Sequence, residues 1–285
     1  MSARLRIAAL AVAATAALAL AACSSGGSDA GSGAAKSGAD AGYITAGKLT
    51  VATSEPAYAP WVIDDKPESG DGFEAAVAYA VADKLGFAKS DVVWVRDDFD
   101  KSIAPGPKDF DINLQQFSIT DERKKAVDFS SPYYETSQVV ITTGKSKAAD
   151  ATSLADLKGL LIGAMTGTTS YTDAVKDIAP KHEVQAFNSN DDAVTALKAG
   201  QVDAIVVDLP TGFYVTGAEL DDGKIVGQLP SVAGDTGDRF GIVLAKGSPL
   251  TGKVSDAVDA LKADGTLASL EAKWLNSQGN APLLK

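Results

Sequence analysis

Arg123 stands in Phe117-Ser118-Ile119-Thr120-Asp121-Glu122-Arg123, three residues after a threonine suited to start a helix. A guanidinium keeps its charge at physiological pH, and its planar fork can meet a carboxylate through two parallel hydrogen bonds. The spacing predicts Arg123 on the first turn of a helix, where free backbone N–H groups add to an anion seat. A second seat of this kind is encoded at Gly167-Thr168-Thr169-Ser170, where an apolar strand gives way to a helix. Asp208 closes the run Val202–Val207, apolar apart from Asp203, and so sits at the carboxyl end of a strand. Open α/β sheets hold their ligands at that end. Asp208 also fits a helix N-cap, because Pro210 follows it by two residues. Catalytic chemistry has less to work with. The only histidine, His182, lies in Pro180-Lys181-His182-Glu183, and the only cysteine is Cys23. Neither completes a Ser–His or Cys–His pair, and no cysteine–histidine cluster marks a metal site. No cofactor is expected.

The N-terminus reads as a targeting segment. Arg4 and Arg6 precede an uncharged run from Ile7 to Ala22 that ends Leu20-Ala21-Ala22-Cys23. Basic, then apolar, then small is the order of a secretory leader, and the run is short for a membrane span. A lone cysteine forms no internal disulfide. Residues 24–42 are almost all Gly, Ser and Ala, a composition that buries no core and behaves as a flexible tether. The net charge is −11, or −13 once Arg4 and Arg6 leave with the leader. An acidic body of this kind is a poor partner for nucleic acid or for anionic lipid.

Elements that would position Arg123 and Asp208 follow from hydrophobic period and punctuation. Lys48–Thr53 reads as the first strand, Val92–Val95 as the second and Asp111–Leu114 as the third. Phe73, Val77, Val81 and Leu85 recur every four residues, and Gly86 closes that helix. A second unit holds a capped helix from Ser153, a strand at Leu161–Ala164, and a helix over Ala193–Lys198 capped by Asp191 or Asp192. Phe240–Ala245 is a further strand. Leu250, Val254, Val258 and Leu261 then share one helical face, and a last helix reaches Trp274. Strands alternating with helices imply parallel sheets.

Taken in order, several short segments resemble the polar amino acid receptors of ABC importers, solute-binding protein family 3. They are Ala57-Tyr58-Ala59-Pro60, Gly72-Phe73-Glu74, residues 117–134, Asp156-Leu157-Lys158-Gly159, Gly167-Thr168-Thr169, Val202-Asp203-Ala204, and Asp264-Gly265-Thr266 with Lys273-Trp274. The resemblance covers Lys48 to about Leu275. It implies an α/β, two-lobed periplasmic binding protein of type II, each lobe a mostly parallel sheet flanked by helices, with a two-strand hinge. On that reading residues 1–22 are a lipoprotein signal peptide, and 23–42 are a lipidated Cys23 with its tether. Lobe 1 is 43–139 plus 239–285 and lobe 2 is 140–238, with crossings near Val139–Thr142 and Gly237–Phe240.

The resemblance also implies roles. Arg123 takes the α-carboxylate of an amino acid, helped by Ser118 and by Thr168 or Thr169, and Asp208 accepts from its α-ammonium. Tyr58 and Phe99 sandwich the ligand's carbons, while Trp61 serves as pocket wall or as core. Gln116 and Phe117 flank the site, and Glu55 reads a donor-bearing side chain such as Lys, Arg, His or Gln. Two departures stand out: Gln115 and Gln116 replace small residues and project amides, and Ala104-Pro105-Gly106-Pro107-Lys108 replaces a helix-then-Gly pattern. The implied partners are an amino acid, the importer's permease subunits, and a membrane reached through Cys23. The chain would be a monomer on the extracytoplasmic face. Rival readings are a sensing receptor without transport and a cyclohexadienyl dehydratase-like enzyme, in which Glu55 would act as the acid.

Overall fold

The computed structural model describes residues 42–230, 237–275 and 281–285. The expected leader, Cys23 and the tether up to residue 41 lie outside the described residues. β1 (Leu49–Thr53) is buried along its whole length, as a strand covered on both faces must be. α1 (Phe73–Lys84) turns Phe73, Val77 and Val81 fully into the core. Gly72, at φ 105°, makes this possible, since a Cβ there would lie 2.4 Å from the Trp61 carbonyl oxygen. That close approach lets the N–H groups of Phe73 and Glu74 donate to the carbonyls of Pro60 and Trp61 at 2.9 and 3.0 Å. The helix start is thus satisfied by the Ala57–Trp61 loop, which it pins in turn.

β2 (Val92–Arg96) leads to α2 (Phe99–Ile103), capped by the Asp98 side chain. This helix was not expected beside Pro105 and Pro107; it ends just before them, where they do no harm. β3 (Ile112–Asn113) follows. Arg123 then departs from expectation, because Arg123–Lys125 is a single 3₁₀ turn and not the start of an α-helix. Val127 begins a strand two residues later, leaving no length for more. The Thr120 hydroxyl does accept from the Arg123 N–H, at 3.1 Å.

β4 (Val127–Thr136) carries the chain out of this lobe, and β5 (Gln138–Thr143) already belongs to the other sheet. The crossing therefore falls at Ser137, ahead of the expected Val139. The second lobe adds α3 (Leu154–Leu157), β6 (Ile162–Met165), α4 (Thr169–Asp173), β7 (Gln185–Phe187), α5 (Asn190–Lys198), β8 (Ala204–Asp208), α6 (Leu209–Tyr214) and β9 (Gly223–Gln228). Ser189, not Asp191 or Asp192, caps α5 by accepting from the Asp192 N–H. β10 (Asp238–Ala245), α7 (Thr251–Ala263) and α8 (Thr266–Trp274) return to the first lobe.

Each lobe holds one five-stranded sheet, ordered β2-β1-β3-β10-β4 and β7-β6-β8-β5-β9. In each, one strand, β10 or β5, runs against the other four. The first core packs α1 and the Val254, Val258 and Leu261 face of α7 on its sheet. The second sheet separates two cores, one beneath α3 and one beneath α5.

The chain's last residues differ from the expected boundary. Ala281–Lys285 lie not on lobe 1 but along β9 of lobe 2. Gln228 N–H donates to the Pro282 carbonyl at 2.7 Å, and Leu284 N–H to the Gln228 carbonyl at 2.9 Å. Leu284 is 1% exposed within the second lobe's core. Burying that leucine drives the tail there, and no periodicity in five residues announces it. We expect Leu284→Ala to cost about 2–4 kcal/mol in urea unfolding. A loss below about 0.5 kcal/mol would remove the tail from the folded core.

Candidate functional site

Between the lobes lies a cleft of about 470 Å³, within the range that holds a small molecule. The first lobe supplies Glu55, Tyr58, Phe99, Gln116, Ser118 and Arg123 to its walls, and the second supplies Thr168, Thr169 and Asp208. Trp61 and Phe117 do not line it. Trp61 is 3% exposed and packs edge-on against Phe73 and Tyr134. Phe117 is fully buried and stacks behind Phe99, with ring centroids 4.8 Å apart. An aromatic side chain carries the same sequence signal whether it faces a core or a ligand, so residue type could not separate them.

Arg123 is 8% exposed. Its Nη1 donates to the Ser118 carbonyl at 2.8 Å and its Nη2 to the Gly167 carbonyl of the other lobe at 2.9 Å. Its guanidinium carbon lies 5.3 Å from the Phe99 ring centre. Burial pushes its pKa down, while Asp238, Asp208 and Asp100 oppose that shift. Among the described residues its other N–H groups have no partner, which leaves donors for an anion. Beside it, Ser118 Oγ and Thr169 Oγ1 meet across the cleft at 3.1 Å. At the start of α4 the Thr168 hydroxyl accepts from the Tyr171 N–H at 3.2 Å, and among the described residues the N–H groups of Thr169 and Ser170 have no partner.

Asp208 makes no capping bond to α6; its Oδ1 accepts from Gln138 Nε2 at 2.7 Å. The same nitrogen donates to Asp238 Oδ2 at 2.6 Å, so one amide holds two carboxylates together. Thr169 Oγ1 also donates to Asp238, at 2.6 Å. Asp208 keeps some surface on the cleft but is ringed by protein. Burial, and then the neighbouring Asp238, push its pKa up to about 8. Neither Gln138 nor Asp238 was singled out in the sequence. Each heads a strand at a lobe crossing, and only the folded chain brings them beside Asp208.

Glu74 was noted only as part of a motif. It is 1% exposed and accepts from the Gln116 N–H at 2.7 Å, from Gln116 Nε2 and from the Tyr133 hydroxyl. These bonds hold Gln116 at φ 52°, a left-handed conformation that a long side chain seldom adopts. A carboxylate inside the apolar α1 was the available signal. Burial raises its pKa to about 7 against the three hydrogen bonds.

At the other end, Arg96 pairs with Asp65 at 2.6 Å and Lys101 with Asp97 at 2.8 Å. Among the described residues Glu55 and Asp98 make no ion pair, so this end keeps two uncompensated carboxylates. Tyr58 closes the mouth by donating to Asp191 of lobe 2 at 2.5 Å, and Trp61 Nε1 donates to Thr211 Oγ1 at 3.1 Å. Asp191 is free for this contact because Ser189 caps α5. Among the described residues no His, Cys, Asp and Glu cluster suits a metal, and no helix is long and apolar enough to cross a membrane.

Two sheet-and-helix lobes closing on a cleft with a buried arginine define a type II binding protein. Residues 49–277 match the bacterial extracellular solute-binding proteins, family 3, and the chain belongs to that family. The L-arginine-binding protein of Pseudomonas aeruginosa is 34% identical over 231 residues, covering 78% of this chain and 86% of that one. The ABC transporter glutamine-binding protein GlnH of Bacillus subtilis is 31% identical over 215 residues, covering 73% and 75%. Among solved structures, an ancestral arginine-binding protein bound to glutamine superposes with a TM-score of 0.67. It is 35% identical and covers 80% of this chain and 97% of that one.

Glu74 and Asp208 both have folded pKa values raised above their unfolded ones. The stability they confer is therefore complete below about pH 4 and is lost as pH rises through about 7 and 8. Unfolding free energy should fall between pH 5 and pH 8, and Glu74→Gln should flatten the lower part of that slope. A Glu74→Gln profile as steep as the parent's would acquit Glu74.

Proposed function

We propose that the protein is an extracytoplasmic receptor that captures an α-amino acid with a basic or amide side chain and hands it to an ABC importer. The observation that carries this reading is a cation and a carboxyl group on facing lobes of one cleft: Arg123 with free donors, and Asp208 ready to ionise beside a cation. A zwitterionic head group satisfies both only when the lobes are together, so binding favours the closed form by its differential affinity. Ser118, Thr168 and Thr169 assist Arg123 with the carboxylate. Tyr58 and Phe99 flank the ligand's carbons, and Gln116 is presented by Glu74. The unpaired carboxylates Glu55 and Asp98 favour a cationic far end. Relatives named for arginine and for glutamine support this ligand class, and GlnH's description as part of an ABC transporter supports delivery to permease subunits. Cys23 would carry the lipid that holds the receptor at the membrane surface, with residues 24–42 as its tether.

Calorimetric titration of the refolded protein against the twenty amino acids tests the reading, with tight binding expected for arginine, lysine, histidine or glutamine. Silence from all twenty would overturn it. Arg123→Ala should weaken the best ligand by about 2–5 kcal/mol. An unchanged affinity would dismiss Arg123 as the carboxylate partner.

Asp208 adds a proton linkage. An ammonium group beside it favours the ionised form, so binding below about pH 8 must release a proton. Affinity should fall as pH drops from 8 to 6, and the binding heat at pH 7 should vary with the buffer's ionisation enthalpy. Heats independent of buffer would mean that Asp208 is already ionised.

A further inference from the structure

Gln115 lines the cleft, is 3% exposed, and has an Oε1 without a hydrogen-bond partner among the described residues. A buried acceptor left unsatisfied is costly, which makes it a marker for something that completes it. The orientation of this amide follows from the groups behind it. Ser102 Oγ lies 2.7 Å from Asp97 Oδ2 and 2.8 Å from the Asp98 carbonyl, both of which only accept, so the single serine proton is committed. The serine oxygen must then accept from Asn113, whose Nδ2 is 2.8 Å away. That turns Asn113 Oδ1 toward Gln115, which donates to it from Nε2 at 3.0 Å and to the Asp97 carbonyl at 3.2 Å. Both N–H bonds of the Gln115 amide are thereby used, and its oxygen alone remains. Ser102 and Asn113 are fully buried, so water cannot substitute at either step.

We propose that Gln115 is a specificity-determining residue whose Oε1 accepts from the nitrogen at the far end of the ligand's side chain. The Asp97 backbone carbonyl and Asn113 Oδ1, the latter turned by Ser102, together keep an oxygen rather than an NH₂ on offer. Gln115 lines the cleft with Asp97, Asp98 and Glu55, and its donation to the Asp97 carbonyl sets it at that acidic end. The site then asks for a donor at that end: guanidinium, ammonium or carboxamide. It rejects a carboxylate, which would face an acceptor, and an apolar chain, which would leave Oε1 unpaired. This rests on the reading of the cleft as an amino acid site.

The test compares L-lysine with L-norleucine, which has the same head group and carbon chain but no terminal nitrogen. The protein should bind lysine at least about tenfold more tightly than norleucine. In Gln115→Met, close in shape but without the acceptor, that ratio should fall by about tenfold or more while norleucine affinity holds. Retained norleucine binding certifies an intact fold and head-group site. A ratio unchanged in Gln115→Met overturns the proposal, as does an equal loss for both ligands, which would place Gln115 at the head group. A parent protein that binds neither ligand, nor any other amino acid, would instead defeat the receptor reading on which the proposal stands.

Discussion

The guanidinium of Arg123 cannot shed its charge, yet it is almost wholly withdrawn from water. That constraint organises the centre of the molecule. A buried cation must be met by acceptors, and two of them are backbone carbonyls, at Ser118 and Gly167, one from each lobe. Satisfying Arg123 therefore draws the lobes together at one point. Gly167 serves there because its missing side chain leaves room: a Cβ would lie 2.5 Å from Asp100 Oδ1 on the opposite lobe. Phe99, packed on Phe117, gives the charge a flat aromatic face on its remaining side.

The carboxylates around this cation are graded by what holds them. Asp97 is tied to Lys101 and to Ser102, and so stays an acceptor. Asp208 and Asp238 share one amide nitrogen, an arrangement that lets the neighbourhood take up or release a proton as a cation approaches. Glu74 lies behind them in the first lobe and sets backbone geometry at Gln116 rather than meeting a ligand. Four acids in three surroundings thus perform separate tasks within one small volume.

Much of this was legible in the residues, and the remainder failed for identifiable reasons. β1 and β8 announce themselves because they are apolar and β-branched over a strand's length. The four-residue recurrences of α1 and α7 give the faces that fill the first core. β4 is hard to see in the sequence, because Ser130-Ser131-Pro132 looks like a break. Pro132 is accommodated where the pairing with β10 shifts register. The helix expected at Arg123 shrank to one turn because the neighbouring strand claimed the residues. Asp191 looked like a cap, but Ser189 reached the open N–H first. For the site, Arg123, Tyr58, Phe99, Thr169 and Asp208 do line the cleft, while Trp61 and Phe117 went to the core. Gln138 and Asp238 were invisible, because their importance is a meeting 100 positions apart in the chain.

The aromatic cluster around Trp61 has an optical consequence. Its indole is enclosed by Phe73, Tyr134 and Phe240 on the first lobe, yet its N–H ends on Thr211 of the second. Parting the lobes would strip that one hydrogen bond and wet only the indole's edge, while the rings around it stay in place. Among the described residues neither of the other two tryptophans has such a bond across the cleft: Trp94 donates to Tyr79 within its own lobe, and Trp274 lies under Lys273 on α8. The emission colour of this protein therefore carries a built-in signal of lobe separation, contributed by a residue that touches no ligand.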